Sequence, residues 1–261
     1  MTALLLAVLS AAIPTADPAN PTAGVGLDEK PGARVPRDVV LRDADDHPFL
    51  LGDFIAAEKT PIVLTLAYYR CPMLCGLVLN GLAHTVRGLD EKLGVDYRAI
   101  TVSIDPRDGW SEAARTRDRV LGLAGRPDAG AGWRFTTGVP EETRRLADAV
   151  GFHYAWDERS EQFAHPAAVI LLTPDGRVAR YLYGFDLPPR QLKLALLDAA
   201  NGRSRGLIDR VLLTCFHWDP ATRRYGVYVL GFLRAGAALI LLALGGLLFF
   251  LWRLERRRRS S

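Results

Sequence analysis

The chain of 261 residues carries 33 Lys and Arg against 29 Asp and Glu, a formal charge of +4 and a pI near 9.1. Five Arg and one Glu within residues 253–261 account for the whole excess, so the remaining body is neutral and lacks the basic face of a nucleic-acid-binding domain. A hydrophobic content of 49% with 24% charged residues excludes a disordered chain, and three cysteines are too few for a disulfide scaffold.

The N-terminus opens with a short uncharged apolar run, Ala3 to Ile13, followed by small residues and Pro14, Pro18 and Pro21. The run is too short to span a bilayer and matches the apolar region of an export signal, although a basic start is missing. Residues 1–16 are therefore expected to be a signal peptide, with a buried helix as the plainer reading. Residues 14–36 are rich in Pro, Gly and Ala; 17–36 reads as a linker or irregular lead-in.

The domain expected over 37–202 begins with a buried strand at Pro61–Tyr69 (PIVLTLAYY). Val78, Leu82, Val86, Leu89 and Leu93 follow at helical spacing, and Tyr97–Ile104 (YRAITVSI) is a second strand. This β-α-β unit calls for a parallel pair. Ser111–Leu123 reads as a helix with Ser111 as a candidate cap, and Pro140-Glu141-Glu142 opens another that ends at Gly151. Thr173-Pro174-Asp175-Gly176 is a turn signal between Ala167–Leu172 and Arg177–Tyr183, which read as a hairpin; a last helix runs from Pro188 to Ala200. The succession predicts an α/β sandwich of thioredoxin type.

Cys71-Pro72-Met73-Leu74-Cys75 falls where the first strand hands over to the helix. Unpaired N–H groups and the positive dipole end there favour thiolate, and a spacing of four puts both sulfurs on one side of a helical turn. Two such sulfurs can close a disulfide or hold a soft ion, Cu(I) or Zn rather than Mg or Ca. Redox thioredoxins have two residues between their cysteines where this chain has three, which leaves room for a metal; a purely structural disulfide is the bland alternative. Among the histidines, His84 falls on the helix, and His47 and His153 sit in polar or turn contexts with no partner in view. His165 stands directly before Pro166 and the Ala167–Leu172 strand, at the sheet edge expected to face the cysteine turn, its backbone biased to extended geometry by the proline.

Residues 203–226 form a juxtamembrane extension holding Cys215 and His217, which share a side only if the segment is extended. They are a candidate auxiliary metal pair; the plainer reading is an aromatic interfacial segment with an unpaired thiol. Ala235–Trp252 is 18 residues without a charge, roughly 27 Å as a helix. Taken back to Val227, with Arg234 able to snorkel, the segment 227–252 is expected to be a single transmembrane helix. Arg256–Arg259 mark the cytoplasmic side, so the domain is expected on the outer, periplasmic face of the inner membrane.

YYRCPMLCG, VSIDPRD and AHPAAVILLTPDGRVARYLYG, in that order, resemble the SCO/SenC family of copper-handling proteins used in cytochrome oxidase assembly, over about residues 37–200. The resemblance implies a thioredoxin-like fold and one copper ion, as Cu(I) or Cu(II), on Cys71, Cys75 and His165. It also matches Asp105 to an acidic position near the site, where it either orients a ligand or caps the turn before Ser111. The chain departs from the family pattern at Gly76, where Pro is common, at Pro166, and in placing its span at the C-terminus.

The function expected on this basis is that of a membrane-anchored copper chaperone. It would take copper from an upstream donor and deliver it to the binuclear copper centre of cytochrome c oxidase. The alternative is a thiol–disulfide oxidoreductase that reduces the cysteines of that centre. Peroxide reduction lacks its threonine-bearing motif.

Overall fold

The computed structural model describes residues 24–70, 74–126 and 129–200, and beyond them 216–219, 224–227 and 244; of Leu74 and Cys75 it describes the backbone. The short elements β1 (Gly26–Leu27), β2 (Val40–Arg42), β3 (Pro48–Leu50) and α1 (Leu51–Ala56) lead into β4 (Ile62–Ala67). All six residues of β4 are buried, as in a strand covered on both faces. Helix α2 (Leu74–Arg87) returns the chain to β5 (Arg98–Ser103), and α3 (Trp110–Leu123) to β6 (Trp133–Thr136). Both crossovers produce parallel pairs, Ile62 opposite Arg98 and Ala99 opposite Trp133.

After α4 (Pro140–Ala149) come β7 (Phe152–His153) and a hairpin of β8 (Ala155–Asp157) and β9 (Gln162–Ala164). Next, β10 (Ala168–Leu172) runs antiparallel to β4, and β11 (Val178–Tyr183) antiparallel to β10. The sheet order is β11-β10-β4-β5-β6. Helix α5 (Pro189–Ala199) closes the body, and α2 packs against α3 and α5. Two parallel strands joined by a helix, followed by an antiparallel hairpin and a helix, make the thioredoxin-like α/β fold. A separate pair, β12 (Phe216–Asp219) and β13 (Arg224–Val227), is antiparallel.

Several polar groups inside this core are paired across the strands. Thr65 Oγ1 and Thr101 Oγ1 meet at 2.7 Å between β4 and β5, and Trp133 Nε1 donates to Thr101 Oγ1 at 2.9 Å. Buried Arg98 donates to the carbonyls of Phe54, Ile55 (3.3 Å) and Glu58 (3.0 Å), in the last turn of α1 and just beyond it. A guanidinium is suited to that place because the end of a helix leaves carbonyls unpaired.

Three expectations are corrected. The cap of α3 is Gly109, whose N–H donates to Glu112 Oε2 at 2.9 Å, while Ser111 lies inside the helix. The lead-in is not a free linker from residue 24 on: β1 pairs with β7, Val35 is buried, and Val35 N–H donates to Gly176 O at 3.0 Å. His153 does have a partner, with Nε2 3.0 Å from Asp28 Oδ2. Among the described residues no helix is long and apolar enough to cross a membrane. The expected span at 227–252 lies outside them apart from Val227, which closes β13, and Leu244. The expected signal peptide also lies outside them.

Candidate metal centre

Strand β4 delivers Tyr68, Tyr69 and Arg70 at the C-terminal end of the parallel strands, and the next residue is Cys71. Cys71 lies outside the described residues; the backbone of Cys75 is in the first turn of α2, which starts at Leu74. The chain thus passes through this segment from the end of β4 to the N-terminus of α2.

His165 reaches the same end from the other direction. The antiparallel register of β10 with β4 sets Val169 opposite Thr65. Continued by the same rule, it carries His165 alongside Tyr68 and Tyr69. The His165 ring lies 5.9 Å from the Tyr68 ring at 80° and 6.0 Å from that of Phe152. Its Nδ1 is 3.0 Å from Pro166 O. A carbonyl only accepts, so the neutral ring carries its proton on Nδ1 and its lone pair on Nε2, the form in which imidazole ligates metal. Burial pushes the His165 pKa below the ordinary imidazole range, although the bond to Pro166 opposes this, so the ring is neutral at pH 7.

The aromatic shell around His165 is not legible in the sequence. Phe163 lies 5.9 Å from Tyr68, 5.8 Å from Tyr154 and 5.0 Å from Trp156. Tyr68 and Phe152 touch His165 directly, and the β8–β9 hairpin, whose strands are too short to announce themselves, extends the cluster through Trp156 and Phe163.

Asp105 is buried beside this end, but its carboxylate is engaged locally. Oδ1 accepts the Arg107 backbone N–H at 2.9 Å and Nε at 2.8 Å, and Oδ2 accepts Nη2 at 2.7 Å. Burial works against its charge, yet the bonds from Arg107 outweigh it and hold the carboxyl below the usual range. The Arg107 guanidinium in turn covers the Trp156 ring at 4.7 Å. Asp105 thus caps the turn of residues 105–108 that leads into α3, just before Ser111.

Asp108 is the acidic group that takes a backbone N–H of the segment entering Cys71. Its Oδ2 accepts the Tyr69 backbone N–H at 2.7 Å and the Ser103 hydroxyl at 2.6 Å. The only trace of it in the sequence is the second aspartate of SIDPRD. Tyr69 is further pinned across the sheet, donating its hydroxyl to Thr136 O at 2.7 Å and accepting Thr136 N–H at 2.8 Å. Of the auxiliary pair, His217 lies in β12 and Cys215 outside the described residues. Among the described residues no group of three His, Cys, Asp or Glu side chains could hold a metal ion; both cysteine side chains of the turn lie outside those residues.

The fold defines a thioredoxin-like protein with His165 beside Tyr68, at the end of the sheet where the chain runs on to Cys71. Residues 40–196 match the model of the SCO1/SenC family, and the chain belongs to that family. No curated protein matches it. A crystal structure from Aquifex aeolicus VF5, described as that of a candidate electron transfer protein, is 26% identical with a TM-score of 0.58, covering 68% of this chain and 99% of that one. A SCO1/SenC family lipoprotein from Bacillus anthracis str. Ames is 16% identical with a TM-score of 0.50, over 61% of this chain and 90% of that one. Arabidopsis thaliana ScoI, solved with copper bound, is 20% identical with a TM-score of 0.47, over 58% and 88%.

Proposed function

We propose that this protein is a membrane-anchored copper chaperone that delivers copper to the binuclear copper centre of cytochrome c oxidase. The observation that carries the reading is the placement of His165 beside the strand that runs into Cys71, with its Nδ1 proton on Pro166 O and the lone pair of the neutral ring on Nε2. Two thiolates from Cys71 and Cys75 with one imidazole make a soft three-donor set that suits Cu(I) and leaves a position for an incoming ligand. The cargo enters from an upstream donor and leaves to the copper-bearing subunit of the oxidase. The donors exist only while the pair is reduced, so oxidation of Cys71 and Cys75 to a disulfide releases the metal. The body works on the outer face of the membrane, held by the span at 227–252. Cys215 and His217 remain a candidate auxiliary pair near that surface.

The same dithiol could reduce a disulfide in the recipient, passing two electrons and two protons and ending as the Cys71–Cys75 disulfide. His165 separates the two roles, because a metal site uses its imidazole and thiol exchange does not. Anaerobic Cu(I) titration of the reduced protein is expected to give one ion per chain. His165→Ala should lower affinity by about 10-fold or more with disulfide exchange little changed. Unchanged copper affinity in that variant overturns the assignment.

A further inference from the structure

The two residues that enter Cys71 are held by one buried carboxylate. Asp108 has no exposed side-chain surface. One of its oxygens, Oδ2, takes the Tyr69 N–H and the Ser103 hydroxyl; the other faces Arg70 Nε at 3.3 Å. Arg70 also donates to Arg107 O at 2.6 Å and lies 3.6 Å from Glu112 Oε1. The clamp is rooted in the central sheet, since Ser103 is the last residue of β5 and Asp108 N–H donates to Asp105 O at 3.0 Å. One side chain therefore hydrogen-bonds the main chain of Tyr69 and forms an ion pair with the guanidinium of Arg70. A neutral acceptor could satisfy the Tyr69 N–H alone. A buried carboxylate, which costs desolvation, grips the Arg70 side chain as well.

We propose that Asp108 is a positioning residue for Cys71. By holding the Tyr69 N–H and pairing with the Arg70 side chain it sets both the metal affinity and the thiol–disulfide equilibrium of the Cys71/Cys75 pair. The metal half rests on the copper reading above; the thiol half stands without it. The test uses the purified full-length chain and the variants Asp108→Ala, Asp108→Asn and Arg70→Ala. Each is equilibrated with glutathione buffers, in which the two thiols form their S–S bond while one glutathione disulfide becomes two glutathiones. Each is then titrated anaerobically with Cu(I). Asp108→Ala should shift the thiol equilibrium by about threefold or more and lower copper affinity about 10- to 100-fold. Asp108→Asn keeps an acceptor for Tyr69 N–H but not the charge that faces Arg70, so its shifts should fall between those of wild type and of Asp108→Ala.

A folded Asp108→Ala protein with wild-type thiol equilibrium and wild-type copper affinity overturns the proposal. Should that variant not fold, Arg70→Ala decides, because the Arg70 side chain is half exposed and its loss leaves the core intact. An unshifted thiol equilibrium there overturns the proposal equally. Thiol equilibria that shift in a chain whose wild type binds no copper would sink the copper reading and leave the positioning role standing.

Discussion

At the scale of single residues, chemistry depends on pairings that chain position does not reveal. Asp105 and Asp108 belong to one short motif and read alike, yet one folds back onto Arg107 and the other grips the entrance to Cys71. His165 could be singled out because a proline and a strand follow it, which is local information. The threonines of the sheet are a second case: Thr65 and Thr101 look like interruptions in apolar strands, but Thr101 Oγ1 serves both Thr65 and Trp133. Valine would fill the same space at 101 while leaving a buried indole N–H without an acceptor. Thr101→Val is therefore expected to lose about 1–3 kcal/mol of unfolding free energy. Urea denaturation measures it, and an unchanged midpoint would show that the hydroxyl contributes nothing.

At the scale of elements, helices α2 to α5 and the paired strands β4, β5, β10 and β11 were legible because each buries apolar residues, although α1 was not and α2 stops at Arg87, short of the expected Leu93. Val78, Leu82, Val86, Leu89 and Leu93 are all buried, the first three on α2 and the last two in the turn beyond it. Strand β6 is hidden in the sequence, since the alternation of Trp133, Arg134, Phe135 and Thr136 is only four residues long, and its burial comes from pairing with β5. The same holds for β1 and β7, two residues each, which exist through contact. That contact depends on Gly151, which has φ +67, and whose added Cβ would stand 1.8 Å from Asp28 O. Asp28 N–H donates to Gly151 O at 2.8 Å across this approach. Gly151→Ala should cost about 1–3 kcal/mol and free the N-terminal segment from the body. Amide exchange at Asp28 reads it directly; protection equal to wild type would mean that the close approach is not what holds β1.

At the scale of the whole molecule, charge separates from chemistry. The body is neutral and carries the cysteine turn, while the entire formal excess sits in residues 253–261, beyond the expected span. A basic block next to an apolar segment biases orientation by holding its own side in the cytoplasm. On the proposed topology the Cys71 turn and Arg256–Arg259 lie on opposite sides of the membrane. In sealed vesicles with the outer face exposed, a membrane-impermeant thiol reagent should label the reduced Cys71/Cys75 pair, while a protease should leave a C-terminal tag intact until detergent is added. Replacing Arg256–Arg259 with Ser should weaken this asymmetry, because the remaining flank offers Arg253 against Glu255. Digestion of the tag without detergent, together with protection of the cysteine pair, would invert the orientation. That result would place the dithiol on the side where thiols are kept reduced, and delivery to an outward-facing copper centre could not stand.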